Sequence, residues 1–408
     1  MEFIKRRQKV KNPVSRFFHG IITGAADNDP AGITTYSVVG ATTGLAQLFL
    51  VPLSTIFLVV VQAICARIGD VKKKGLGSVI KETFGRPVAI AATFLLILAN
   101  LTTMGADLSA IDASFSILFP GINTLFFLPF VTFFIWYIVL FKNYRFISKF
   151  LLIMALIFIS YIFSGIAAKP DWSVIFNYTF IPQISLESRY WLMAVGFLGT
   201  TITPYLFFWQ VSEEIEDKPS VKDVKQEIKD NAPGFIFSNL ITYFIIICTA
   251  TVLFTNNINI TNAQEAALAL KPFLGPYAAT LFALGIIGSG LLALPVLACS
   301  TAYAVAETFN WREGLSKKPS TARGFYTVLS ATFFIALAIS LLKINSIKIL
   351  FYSQVFSGLL APFLLILIMI IASSSKIMGK YKTGWGTNLL GWLTVLIMLG
   401  AGIAIFVT

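Results

Sequence analysis

Two clusters of oxygen-bearing residues stand where an otherwise apolar chain has least use for them. The first is Asp27-Asn28-Asp29-Pro30-Ala31-Gly32, inside the run GIITGAADNDPAGITTYSVVGATTG. The second is Gly199-Thr200-Thr201-Ile202-Thr203-Pro204, inside MAVGFLGTTITPYLFFWQ. Carboxylate, carbonyl and hydroxyl oxygens are hard donors, and they suit hard cations such as Mg²⁺. Asp29 is the strongest single candidate, as an anionic ligand facing a cation. Its competing role is to pair with free backbone amides at the start of the half-helix that follows. Ala31 and Thr200 offer carbonyls, and Thr203 offers a hydroxyl, directly or through a water. Both threonines could instead back-bond to a helix carbonyl. Proline in the second cluster removes one donor and frees a carbonyl on the preceding turn.

The elements that must carry these clusters are membrane helices. Of 408 residues, 57% are hydrophobic and 12% charged, with a mean hydropathy of +0.81. That composition cannot furnish the charged shell of a soluble domain. About eleven stretches are long enough to cross a hydrocarbon core, near 17–44, 46–66, 86–117, 124–141, 147–168, 189–212, 233–254, 274–308, 322–342, 347–373 and 386–407. The first is read as a retained span, not a cleaved signal. The net charge of +12 follows from basic residues gathered in alternate loops, so nucleic-acid binding is not expected. Lys5, Arg6, Arg7, Lys9, Lys11 and Arg16 precede the first span, and Arg67, Lys72, Lys73, Lys74, Lys81 and Arg86 follow the second. The positive-inside rule then predicts a cytoplasmic N-terminus and, with an odd span count, an external C-terminus. The three cysteines lie in apolar runs without metal-ligand spacing, and the one histidine, His19, precedes the first span. No histidine cluster, nucleophile elbow or nucleotide loop is present, so an enzyme is not expected and no cofactor is implied.

Charge and proline at membrane depth are tolerated where the backbone lines a cavity or a site. Breaks in the first and sixth spans, five apart, form the pattern of an inverted five-plus-five repeat, with an ion site at the midplane between them. The chain then divides into a basic N-terminal segment, 1–16, a first repeat, 17–168, a second repeat, 189–373, and an additional helix, 386–407.

Five further pieces carry a resemblance: DPAG in the first span, QAICARIG ending the second, Asp107-Leu108 in the third, AETFNWR ending the eighth, and SQVFSGLLAPFLLILIMIIASSSKIMG in the tenth. In this order the sequence resembles the Nramp family of divalent metal transporters, closest to its magnesium-transporting branch. The resemblance implies an all-α, LeuT-like fold in the plasma membrane, a monomer, and a divalent cation as cargo. Gln354 matches a family glutamine that closes over the ion, although a helix–helix hydrogen bond would serve it equally. Asp27 and Asp107 become candidates for the approach path or the surroundings of the ion, as does Gln210.

The departures bear on the substrate. Gly32 stands where the family has asparagine. Thr203-Pro204-Tyr205 replaces Met-Pro-His, and Gln210 replaces a second histidine. Loss of a thioether favours Mg²⁺ over Mn²⁺ or Fe²⁺. Smaller residues at 32 and 203 predict a roomier site for an ion that keeps its waters. Loss of both histidines, with no arginine in the ninth span, argues against proton coupling. A proton-coupled Mn²⁺ or Fe²⁺ transporter is the first rival. An organic-substrate carrier of the same architecture is the second, though Asp29 would repel a substrate carboxylate.

Overall fold

A computed structural model describes residues 28–122, 124–141, 156–217, 224–315, 317–342 and 344–408. Asp27, His19 and the basic N-terminal segment lie outside them. Among the described residues the regular structure is entirely helical: α1 (Pro30–Thr43), α2 (Leu50–Lys72), α3 (Leu76–Phe84), α4 (Arg86–Leu118), α5 (Thr124–Phe141), α6 (Ser160–Ala167), α7 (Trp172–Phe180), α8 (Ser188–Thr201), α9 (Pro204–Asp217), α10 (Val224–Val252), α11 (Ala278–Phe309), α12 (Arg323–Ser340), α13 (Ser346–Ser373) and α14 (Trp385–Val407), with short helical turns between 254 and 277 and at 375–381. Eight stretches are long and apolar enough to cross a membrane, and 127–141 and 157–167 are shorter apolar helices. The protein is therefore a multi-pass membrane protein. Phe130, Phe176 and Phe406 are more than 60% exposed, which water would penalise and lipid does not.

Three helical pieces fall in segments that sequence reading treats as loops. In α3, Leu76, Val79 and Ile80 are buried, giving an amphipathic helix too short to look like a span. Asp171 caps α7 by accepting from the amides of Ser173 (2.9 Å) and Val174 (3.3 Å). The turn Ala263–Ala267 opens with a reciprocal capping box between Asn262 and Glu265. Such local capping acts over a few residues, below the window that detects spans.

The described basic segments around 67–86, 310–323 and 376–382 meet at one end of the bundle. Lys81 Nζ on α3 donates to the carbonyls of Glu307 (3.2 Å) and Thr308 (2.7 Å) and to Asn310 Oδ1 (2.6 Å), at the C-terminus of α11. Arg67 Nε donates to the Tyr381 carbonyl at 2.7 Å. The opposite end joins other connections: Gln47 to the Tyr190 carbonyl (2.6 Å), Asn345 to that of Thr261 (3.0 Å), and Ser188 to that of Ile405 (3.0 Å). Between the ends, α4 and α11 run side by side. Asn100 donates to the Leu297 carbonyl, Ser300 and Thr301, and Thr93 pairs with Thr308.

Candidate functional site

Both breaks exist. Asp29 is extended (φ −72°, ψ 167°) and Pro30 occupies the first turn of α1, where a missing N–H costs nothing. Between α8 and α9, Ile202 turns out of the helix (φ −115°, ψ 66°), and Pro204 restarts it. The Thr200 carbonyl would look four residues on for its donor, and that residue is Pro204, which has none. An acceptor is thereby left at the end of a half-helix whose C-terminus already carries partial negative charge.

Two carboxylates serve the start of α1. Asp29 Oδ1 accepts the Gly32 amide at 2.5 Å, and Asp107 Oδ1, from the middle of α4, accepts the Ala31 amide at 3.1 Å. Both side chains are buried. Consecutive amides thus hold one oxygen of each carboxylate. Among the described residues Asp107 Oδ2 is buried without a hydrogen bond, as are Asn28 Oδ1, just before α1, and Thr35 Oγ1 within it. Hard oxygen donors without partners inside a bundle are what a desolvated cation requires.

The second break is drawn onto the first. A Cβ placed on Gly32 would come within 2.7 Å of Thr200 Oγ1 and 3.1 Å of Asp29 Oδ1. Farther along α1, Tyr36 and Thr201 share a hydrogen bond at 3.0 Å, and Thr201 also donates to the Phe197 carbonyl. Thr203 is buried in the break itself. Gln354 is buried on α13, whose backbone touches α8 at Gly199. Its side chain makes one long hydrogen bond, 3.4 Å to Ser353.

Several expectations change. Gly32 does not leave open room where an asparagine is missing, because the Thr200 hydroxyl already fills that space. Ala31 presents its amide to Asp107, while its carbonyl lies in the first turn of α1 and belongs to the helical ladder. Asp29 caps α1, the competing role, yet only one of its two oxygens does so. Gln210 lies seven residues into α9, about 10 Å along it, and donates to Glu214 Oε1 at 3.1 Å. It stands apart from Asp29 and Gly32.

Asn28, Thr35, Tyr36 and Glu307 carry no role in the sequence reading. Glu307 is buried on α11, where it accepts the Gly77 amide (2.8 Å) with one oxygen and the Ser212 hydroxyl (3.0 Å) with the other. It ties α3, α9 and α11 together at the basic end. A lone carboxylate within an apolar run is the signal that marks it.

Asp107 is testable apart from ion binding. Asp107→Asn keeps an oxygen for the Ala31 amide, whereas Asp107→Ala strands that amide, costing about 1–3 kcal/mol. Thermal unfolding in detergent is expected to rank the alanine variant well below the asparagine one. Equal midpoints would mean the 3.1 Å contact does not support the break.

Comparison with known proteins places this geometry. A family model described as natural resistance-associated macrophage protein-like (Nramp) matches residues 20–408. A protein of Staphylococcus saprophyticus subsp. saprophyticus named divalent metal cation transporter MntH is 24% identical over 401 residues, 93% of this chain and 88% of that protein. Two further relatives of the same name align over less, so that the chain spans 60% and 55% of their lengths. In fold, the chain superposes on the manganese transporter of Eremococcus coleocola with a TM-score of 0.74 at 17% identity, over 96% of this chain and 85% of that one. On MhsT, solved with L-phenylalanine, the TM-score is 0.59 at 17% identity, over 95% and 97%. The architecture is LeuT-like, with the α8–α9 pair as a broken member. The chain belongs to the Nramp family.

Proposed function

We propose that the chain is a secondary carrier, not an enzyme, that moves a divalent metal cation across the plasma membrane by alternating access, with Mg²⁺ as its main cargo and without obligatory proton coupling. The observation that carries this reading is the apposition of Gly32 and Thr200. It sets Asp29 Oδ1 and the Thr200 hydroxyl around Gly32, at the residue whose carbonyl Pro204 leaves without a helical donor, with Thr203 three residues on. These are oxygen donors, and the position where the family places a thioether holds a hydroxyl. The basic end faces the cytoplasm by the positive-inside rule, which puts the C-terminus outside. A monomer suffices, since the donors come from one chain. A divalent ion gains about 4.6 kcal/mol on entering a cell at about −100 mV, enough for uptake without protons.

The printed description of one structural relative, a manganese transporter, favours a second reading, Mn²⁺ transport, with proton coupling as the further question. Liposomes containing the purified protein, loaded with a metal indicator and a pH dye, separate the two. Saturable Mg²⁺ influx without acidification is expected. Mn²⁺ influx with acidification and no Mg²⁺ influx would sink the proposal. Thr203→Met is expected to raise the Mn²⁺/Mg²⁺ uptake ratio on the order of tenfold, about 1.4 kcal/mol, because a thioether is a soft ligand. An unchanged ratio would remove Thr203 from the selectivity argument.

A further inference from the structure

The basic end of the bundle carries a pocket remote from both breaks. It has a volume of about 330 Å³ and is lined by Trp311, Arg312, Thr321, Ala322, Arg323 and Gly324. Its walls mark the membrane boundary, since Phe309 ends α11 and Arg323 begins α12, and both helices belong to spans. Arg86, the first residue of α4, holds its guanidinium carbon 5.9 Å from the centre of the Phe309 ring. Phe309 in turn stacks on Trp311 with centroids 5.5 Å apart. Three arginines at three span ends therefore surround one aromatic pair, at the level where hydrocarbon gives way to water.

The pocket is cationic and not neutralised from within. Among the described residues neither Arg312 nor Arg323 makes an ion pair. The N-cap of α12 is Ala322, which has no side chain able to cap, so the first-turn amides add positive field at the same place. A Cβ on Gly324 would lie 2.5 Å from the Trp311 ring. Glycine thus lets the indole lie against the helix backbone as a fixed wall. Phe309 and Trp311 are nevertheless 41% and 45% exposed, an apolar rim on a basic cup.

We infer that this pocket binds the phosphate of an anionic phospholipid headgroup. Guanidinium groups fork phosphate oxygens in pairs, and tryptophan settles at the level of the headgroups. A soluble phosphate would match the arginines and leave the aromatic rim unused, so the lipid is the better occupant. The inference is independent of which metal the chain carries.

Native mass spectrometry of the purified full-length protein in detergent tests it, with phosphatidylglycerol, phosphatidylcholine and inorganic phosphate as separate probes. Phosphatidylglycerol is expected to be retained over phosphatidylcholine. The double variant R312Q/R323Q is expected to hold it about 30-fold more weakly, since each basic group near a membrane surface contributes about 1 kcal/mol. The variant K376Q/K382Q removes the same charge from the same end, and is expected to bind like the parent. Equal weakening in both variants, or equal retention of the two lipids, would overturn the site. Displacement of the lipid by inorganic phosphate at equal concentration would overturn the lipid as the source. Both arginines are exposed, and an unchanged elution profile verifies folding.

Discussion

Asp29→Asn is expected to fold like the parent and to transport nothing. Asparagine is as good a helix N-cap as aspartate, so its side-chain oxygen can still accept the Gly32 amide that Asp29 Oδ1 accepts at 2.5 Å. What disappears is the negative charge. At an effective dielectric of about 20, a unit charge about 4 Å from a divalent ion is worth about 8 kcal/mol. Even a fraction of that takes binding out of the useful range. Asp29→Ala removes the cap as well, and is expected to lose about 1 kcal/mol of stability in addition. The measurement is metal influx into liposomes at matched protein density, with the melting temperature recorded for each variant. Saturable influx through Asp29→Asn would reduce Asp29 to a capping residue and move the ion elsewhere.

The second large effect is expected at Gly199, which touches no ion. A Cβ there would collide with the Gln354 carbonyl and the Gly358 amide on α13, and a Cβ on Gly358 would collide with the Val195 carbonyl on α8. The two glycines allow the backbones of α8 and α13 to meet, as small residues do at membrane helix interfaces. Gly199→Ala must part the helices, because backbone atoms cannot turn aside as a flexible side chain can. Overpacking of this kind costs about 1–3 kcal/mol or more. It also displaces the next residue, Thr200, which meets Gly32. The expected result is a lower yield of monodisperse protein, a lower melting temperature, and impaired uptake in what remains. Gly358→Ala is expected to behave alike, since it wedges the same contact from the other side. A fully stable and active Gly199→Ala would mean that α8 and α13 pack less closely than described.

Much of this protein is legible along the chain because the bilayer imposes a one-dimensional constraint. Each span must be about 20 apolar residues, and each interruption must have a reason. Hence the eight long spans, the break at Ile202–Thr203 and the helix start at Pro30 follow from composition and order. The sixth span does part at Ile202–Thr203, between α8 and α9. Short elements were less visible. The helices α3 and α7 depend on a few buried residues and one cap, which hydropathy windows average away.

The site divides along the same line. Local sequence determines what Asp29, Pro30 and Pro204 do to their own backbones, because capping and the missing proline N–H act within four residues. It also determines that the Thr200 carbonyl has no helical donor at position 204. Only the tertiary structure decided which residues 76 to 230 positions apart meet. Asp107 holds the Ala31 amide, Thr200 fills the space that Gly32 was expected to leave open, and Glu307 joins Gly77 to Ser212. The physical reason is that polar groups inside lipid must find partners, but which partner each one finds depends on helix packing, and no periodicity along the chain records it.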